Sequence, residues 1–366
     1  AANTLTLGAS ATITGAFSST RMIIATAGSE VQKFFSGAVP FNFPVGDNTG
    51  SVEYSPIIIT PTTGGTIGVS VVDAKHPNNA SATFFLSRYW DVTTTGITGA
   101  DIIGTYLDSD IIGGSEASIK AAQLDGTFDR LTNPWVKNLD LDAANNELEF
   151  TGAVLTGGQT SVFTGITKAD PIVTITSAPD PYLICDGDSF TITTSLVGGD
   201  PTVTYLWTGA GLSASTIPNP VFTAAYVAGL PVTYQVDVTD GNGIVGTDQI
   251  QITVDALPTL TGAVQAVSVC DGFGAVIDLV GLLPGSTSTI NYSINGVAQA
   301  PFAGVAANGG GAGSFITVNL SSVNDGQNLQ ITGITITSSV PNCSQSITQN
   351  VTLSVDALAV IGTAPV

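Results

Sequence analysis

Apolar residues recur along most of this chain with a period of two. Val203, Tyr205 and Trp207 fall on one side of an extended segment, as do Tyr234, Val236 and Val238, and then Ile250, Ile252 and Val254. Toward the end Ile316, Val318 and Leu320 alternate in the same way, followed by Val351, Leu353 and Val355. Such alternation turns one face of a strand to a core and the other to water. Asp240-Gly241, Asp271-Gly272 and Asp325-Gly326 punctuate the runs as turns. One stretch departs from the pattern: over Glu116 to Ala122, the spacing of Ala117, Ile119, Ala121 and Ala122 suits a single helical turn or a short strand. The pattern predicts an all-β protein made of β-sandwiches.

Internal repetition divides the chain. Ile184-Cys185-Asp186-Gly187 and Val269-Cys270-Asp271-Gly272 each follow an extended opening, and Thr253-Val254-Asp255-Ala256 and Ser354-Val355-Asp356-Ala357 each close a strand. These are diverged copies of one unit. The expected domains are an N-terminal, jelly-roll-like β-sandwich over 1–166 and two Ig-like or PKD-like sandwiches over 167–255 and 256–356. With almost no linker between them, a stiff tandem array is expected. Residues 357–366 repeat the opening of the third domain and are expected to be an orphan β-strand. Leu358, Val360, Ala364 and Val366 would share its apolar face and seek a host sheet.

Composition adds a compartment. Charged residues are only 10% of the chain, and the net charge is −20. All eight Lys and Arg lie at or before Lys168, and beyond it the only charged side chains are Asp. Such a surface repels nucleic acid and anionic membranes. It also denies trypsin-like proteases a cleavage site in the second half. No apolar run is long enough to insert in a bilayer, and no signal peptide precedes Ala1, as expected of a chain already processed or excised from a longer one. These features fit an extracellular or cell-surface protein.

The repeat alignment also assigns the three cysteines. Cys185 and Cys270 occupy the same early position. Counting thirteen residues back from the closing Asp gives Asn242 in the second domain and Cys343 in the third. The expected disulfide is therefore Cys270–Cys343, worth about 4 kcal/mol on a chain-entropy model, with Cys185 a buried free thiol.

Catalytic chemistry finds little support. His76 is the single histidine and sits in a turn-like segment, Asp73-Ala74-Lys75-His76-Pro77. No Gly-x-Ser-x-Gly nucleophile motif accompanies it. Asp108 and Asp110 are i,i+2 neighbours that could act as paired carboxylates or simply line a solvated edge. The run Asn308-Gly309-Gly310-Gly311-Ala312-Gly313 lacks the Lys of a phosphate loop and reads as a hairpin connection. No enzyme and no organic cofactor are expected. Calcium is the one candidate ligand: Asp140, Asp142, Asn145 and Glu147 gather oxygen donors in one turn, although not at EF-hand spacing. Asp186 with Asp188, and Asp240 with Asn242, do the same at domain ends, with Asx-turns as the plainer reading. Trp207 is expected to be a core Trp, whereas Tyr89 and Trp90 are candidates for a glycan-binding face.

Tyr205-Leu206-Trp207-Thr208-Gly209, Asn219-Pro220-Val221-Phe222 and the run from Thr233 to Gly243 resemble a PKD-type Ig-like repeat. Where many such repeats carry a late Cys, this chain has Asn242. Asn3 to Gly8, Phe41 to Asp47, Tyr54-Ser55-Pro56, Asp73 to Pro77 and Arg88-Tyr89-Trp90-Asp91-Val92 are similar to a module of large secreted surface proteins of the Bacteroidota. That resemblance implies type IX secretion, surface display, and roles in adhesion, gliding or fibre building.

Together these readings lead to the expectation of a structural protein, the subunit of an extracellular pilus-like filament. Residues 357–366 would add as a donor strand to the next copy of the same chain, so that the partners are other copies of itself. The alternative is a segment of a tandem-repeat adhesin that binds surface glycans through its first domain.

Overall fold

The computed structural model describes residues 3–26, 28–177, 182–227 and 231–358. They form strands joined by turns, with three short 3-10 turns and no α-helix among the described residues. The segment of mixed periodicity resolves into both of its readings: a 3-10 turn at Glu116–Ser118 and a strand at Ile119–Asp125.

The N-terminal part contains a seven-stranded sheet in the order Thr4–Leu7, Glu30–Phe35, Gly65–Val72, Tyr89–Thr95, Thr160–Thr167, Ile119–Asp125, Val136–Asp140. A four-stranded sheet, Glu147–Val154, Gly99–Thr105, Ile57–Pro61, Phe41–Phe43, lies against it. Ile67, Val69, Trp90 and Phe163 of the larger sheet meet Phe43, Ile57, Ile59 and Phe150 of the smaller in one buried core. The outer face of the larger sheet has a core of its own, with Ala122, Leu124, Trp135, Val162 and Ile166 buried and Tyr89 and Phe128 packed against them.

In the next sandwich Tyr182–Cys185, Val245–Asp255, Val232–Thr239 and Thr204–Thr208 form a sheet. Trp207, Tyr234, Val236, Val238, Ile250 and Ile252 point into its core, as the alternation predicts. The indole N–H of Trp207 donates to Ile217 O at 3.0 Å, so its one polar atom is satisfied inside.

The last sandwich is built around Thr287–Ile294, Asn328–Ile336 and Ser344–Thr352. Opposite them lie Gly262–Gln265, Gly274–Val280 and Ala312–Asn319, and Ile277, Leu279, Phe315, Ile290, Tyr292 and Ile331 fill the space between. Val351, Leu353 and Val355 are buried as expected, but Ile316 and Val318 are exposed while Phe315 and Thr317 point inward. The pairing of Gly274 with Asn319 and of Val276 with Ile316 sets three residue steps against two, a bulge that reverses the facing of the strand before Leu320. Asn308 Oδ1 accepts from the amides of Gly310 and Ala312, so the glycine-rich run is a closed turn between strands.

Gly209, in the Trp207-Thr208-Gly209 motif, has φ of +135°, and a Cβ there would fall inside the Tyr234 ring. Tyr234 Oη in turn donates to Ala210 O at 2.8 Å. Gly209→Ala is expected to destabilise this sandwich by about 3 kcal/mol. Amide exchange of Val232–Thr239 should then speed up by roughly two orders of magnitude, with no change in the N-terminal sheets.

Candidate functional site

A buried hydrogen-bond network and a disulfide lie where one sandwich meets the next. In the second sandwich the hairpin between Val232–Thr239 and Val245–Asp255 carries Asp240-Gly241-Asn242-Gly243. Asp240 shapes it: Oδ1 accepts from the amides of Asn242 and Ile244, each at 2.9 Å, and Oδ2 from the amide of Asp200 at 3.0 Å. This is an Asx-turn, the plainer of the two readings of Asp240 and Asn242. It aims Asn242 at the N-terminal domain. Asn242 Oδ1 accepts from the Ala80 amide at 2.8 Å, and Nδ2 donates to Ser81 Oγ at 3.1 Å and to Asp200 Oδ2. Ser81 Oγ donates to Asp200 Oδ2 at 3.1 Å and accepts from the Thr167 amide at 2.9 Å. The Trp135 amide donates to Asn242 O at 3.1 Å.

Asn242, Ser81, Asp200 and Asp240 are all buried. A Cβ on Gly241 would collide with Ala80, and one on Gly243 with Pro134, so two glycines let the hairpin reach the other domain's backbone. Burial, and then the nearby Asp240 charge, push the Asp200 carboxyl above its ordinary pKa. At the rim Lys137 Nζ meets Asp170 at 2.8 Å.

The second joint is covalent. Cys185 and Cys343 form a disulfide with Cα atoms 5.6 Å apart, and Cys270 is free and exposed. This corrects the expected Cys270–Cys343 pair and the expected free Cys185. Cys343 precedes the nine-residue strand Ser344–Thr352. Cys270 pairs with Asp356, beyond the other end of that strand. Nine extended residues span about 30 Å, whereas a disulfide needs Cα atoms about 4.4–6.8 Å apart. The two positions cannot meet within one sandwich, but they meet across a joint. Asn242 and Cys343 do share a position, and in both sandwiches it faces the preceding domain.

The densest charge cluster lies inside the N-terminal domain. Arg88 Nε donates to Asp110 at 2.7 Å, Nη1 to Asp47 at 2.6 Å and Nη2 to Glu53, and Asp73 lies 3.6 Å away. Arg88, Asp47 and Asp110 are buried. Burial raises the pKa of Glu53 and of Asp73 against the pull of Arg88. The acids Asp47, Glu53 and Asp73 are close enough to share a cation, but the guanidinium already stands among them. Asp110 is thus a structural ion-pair partner. Asp108 accepts from Asn146 Nδ2 at 2.7 Å in the same 3-10 turn, so the two acids are not paired on a strand face.

The calcium candidates separate. Asp140 is paired with Lys168 at 2.6 Å. Asp142 accepts from the Asn145 side chain and the Ala144 amide, hydrogen bonds that lower its pKa. The oxygens that approach within 4.8 Å of one another belong to Asp142, Glu147 and Glu149. Glu149 was not anticipated, and Asp140 is outside the group, while Asn145 stays beside Asp142 through its 2.7 Å side-chain hydrogen bond.

Trp90 is fully buried between the two N-terminal sheets, with its indole N–H on Ser55 O at 3.0 Å. Gly104 leaves room for its ring. This overturns its expected place on a ligand face, because the side chain never reaches solvent. Tyr89 is half-buried, its ring 4.9 Å from that of His76, which also stands 5.4 Å from Trp135. Burial among these rings lowers the His76 pKa. Of the expected polymerisation residues, Leu358 is exposed, and Val360, Ala364 and Val366 lie outside the described residues.

No protein-family model matches this chain, and a comparison of its sequence with the curated proteins finds no match. Among solved structures it is similar to the three N-terminal domains of the highly immunogenic outer capsid protein Hoc of bacteriophage RB49. That match has 10% identity, covers 78% of this chain and 100% of the other, and has a TM-score of 0.32. The titin I-band fragment I67–I69 is 10% identical over 83% of this chain and 93% of its own, with a TM-score of 0.30. Murine CEACAM1b is 10% identical over 51% and 100%, with a TM-score of 0.28.

Two outcomes test these sites. Asn242→Ala is expected to weaken the first joint by about 2 kcal/mol. Asn242→Asp should weaken it further, by adding a carboxylate to the Asp200–Asp240 pair already there. Small-angle scattering should show both variants more flexible, with each sandwich still folded. Arg88→Met should cost about 3–5 kcal/mol at pH 7, because it strands buried carboxylates. A carboxyl whose folded pKa is raised loses stability as pH rises from its unfolded pKa toward the folded one. Removing Arg88 raises those folded values further. The deficit relative to the parent should therefore shrink as pH falls below roughly 5, as thermal melts across pH would show.

Proposed function

We propose that this chain is a stiff segment of an extracellular structural or adhesive protein, and that its domains serve as length and rigidity rather than as catalysts. The observation that carries this reading is that both joints are fastened. One is held by a buried hydrogen-bond network centred on Asn242 and the other by the Cys185–Cys343 disulfide. Joints closed in this way suit a rod that transmits force or holds a surface at a distance. A disulfide fits an oxidising compartment, and a second half without Lys or Arg fits exposure to proteases.

In its more specific form the proposal is a homopolymeric filament. Residues 357–366 correspond, by the spacing of Asp255 and Asp356, to residues 256–265. There, 256–261 bridge two sandwiches and Gly262–Gln265 pairs with Gly274–Val280. The pairing part of the donor segment would accordingly be 363–366, with 357–362 as the bridge. Sheet edges at Thr4–Leu7 and Phe41–Phe43 of a neighbouring copy are candidate hosts. Strand addition of this kind is heterologous and does not close, so it propagates. The tandem adhesin is the second reading, favoured by the exposed base of the last sandwich around Cys270.

Deleting residues 357–366 is expected to abolish fibres seen by electron microscopy, and persisting fibres would overturn strand addition. An intact mass of the native protein much larger than 37.0 kDa would favour the tandem adhesin.

A further inference from the structure

The last sandwich repeats, atom for atom in its backbone pairing, the socket that the second sandwich uses. Cys185 pairs in parallel with Asp255, and Cys270 with Asp356. The amide of the following residue donates to that closing Asp carbonyl in both, Asp186 to Asp255 and Asp271 to Asp356, each at 2.9 Å. The next residue is a glycine with positive φ in both, Gly187 at +83° and Gly272 at +91°. The amide one position further returns to the Cys carbonyl, from Asp188 at 3.1 Å and from Phe273 at 3.2 Å. The two sockets differ in occupancy. Cys185 is bonded to the hairpin cysteine of the sandwich that follows it, while Cys270 is exposed.

We infer that Cys270 is the attachment point of a third joint, and that its partner is the cysteine of a 337–343-type hairpin on a further Ig-like domain. The inference rests on the serial-rod reading above. Three observations converge on it. The equivalent thiol in the same chain is already joined to such a hairpin. The equivalent hairpin in the second sandwich also docks on the preceding domain, through Asn242, so hairpin-on-base contact holds at both joints. Apolar side chains stand uncovered on the segments that carry or pair with Cys270: Phe273, whose amide donates to Cys270 O, is 64% exposed, and Leu358, two residues beyond the paired Asp356, is 63% exposed. Val323, 74% exposed, sits on the 3-10 turn whose Ser322 amide donates to Asp271. Among the described residues Cys270 belongs to no cluster of metal ligands.

The joint forms when both S–H bonds break and one S–S bond forms. Two electrons and the two thiol protons pass to a disulfide-bearing oxidant, whose own S–S bond breaks and which leaves as a dithiol. A second copy of this chain presents no free hairpin thiol, because its Cys343 is taken by Cys185. The partner is therefore a different domain of the same type.

The test is a disulfide map of the protein purified from its source. The chain beyond Lys168 gives trypsin nothing to cut, so cleavage at Asp is used, without reduction and after alkylation of free thiols. Cys270 is expected in a disulfide with a peptide from an Ig-like hairpin. A fully alkylated Cys270, or a Cys270–Cys270 pair between two copies, overturns the inference. Fibres that retain a free Cys270 would overturn it while leaving the structural role standing.

A reconstituted version extends the full chain from Asp356 with a second copy of residues 256–356. One free thiol per molecule is expected, on the appended counterpart of Cys270, and three would overturn the joint. Amide exchange in the appended strands shows whether that copy is folded when the thiols are counted. With Cys270→Ser in the extended chain, two free thiols and a looser final joint by small-angle scattering are expected.

Discussion

Asn242 gives its side-chain oxygen to the Ala80 amide and its nitrogen to Ser81 and Asp200, and in doing so it fixes where the second sandwich stands on the first. An amide suits the position because it must meet one donor, the Ala80 N–H, and two acceptors, Ser81 Oγ and the Asp200 carboxyl. Burial raises what that fit is worth, since each partner would otherwise be left in a dry interface without a hydrogen bond. Asp240 holds the hairpin that presents Asn242, and Gly241 and Gly243 clear the approach. The same hairpin in the third sandwich replaces hydrogen bonds with a disulfide to Cys185. One geometry thus serves two kinds of fastening, and the direction of the array follows from it: hairpin of the later domain, base of the earlier one.

Inside the N-terminal domain the equivalent constraint is Arg88. Four acids from separate segments converge on a guanidinium that water does not reach. A buried Arg without its acids, or these acids without their Arg, would be an uncompensated charge. The cluster ties the turn at Asp108–Asp110 and the strands at Val45–Asp47 and Glu53–Tyr54 to the start of Tyr89–Thr95. Trp90, next but one to Arg88, drives the same strand into the core. The segment 88–90 is a structural anchor, although its aromatics read in isolation as a binding face.

Much of the fold was legible in sequence because it rests on local rules. Alternation located the core strands of the second sandwich residue by residue, whereas only the structure shows that Gly209 of the Trp207-Thr208-Gly209 motif must be glycine under Tyr234. Where alternation failed, at Ile316 and Val318, a bulge had shifted the register, and a bulge leaves no signature in the pattern of apolar residues. The candidate sites were less legible. Asp140, Asp142, Asn145 and Glu147 are neighbours in sequence, but Lys168 draws Asp140 away and Glu149 joins from the next strand position. The role of Asn242 was hidden because its partners, Ala80 and Ser81, are about 160 residues distant in the chain.

The sequence alone determined that this is a chain of β-sandwiches, where its repeats open and close, and that Cys185 matches Cys270 and Asn242 matches Cys343. These are properties of periodicity and of spacing, carried by each strand separately. Only the tertiary structure decided which of the matched positions touch. Strand length places Cys270 and Cys343 at opposite ends of one sandwich, about 30 Å apart, and brings Cys343 to the Cys185 of its neighbour instead. Alignment reports equivalence, whereas a covalent or hydrogen-bonded contact requires proximity, and here the equivalent ends of successive domains are the ones that come together.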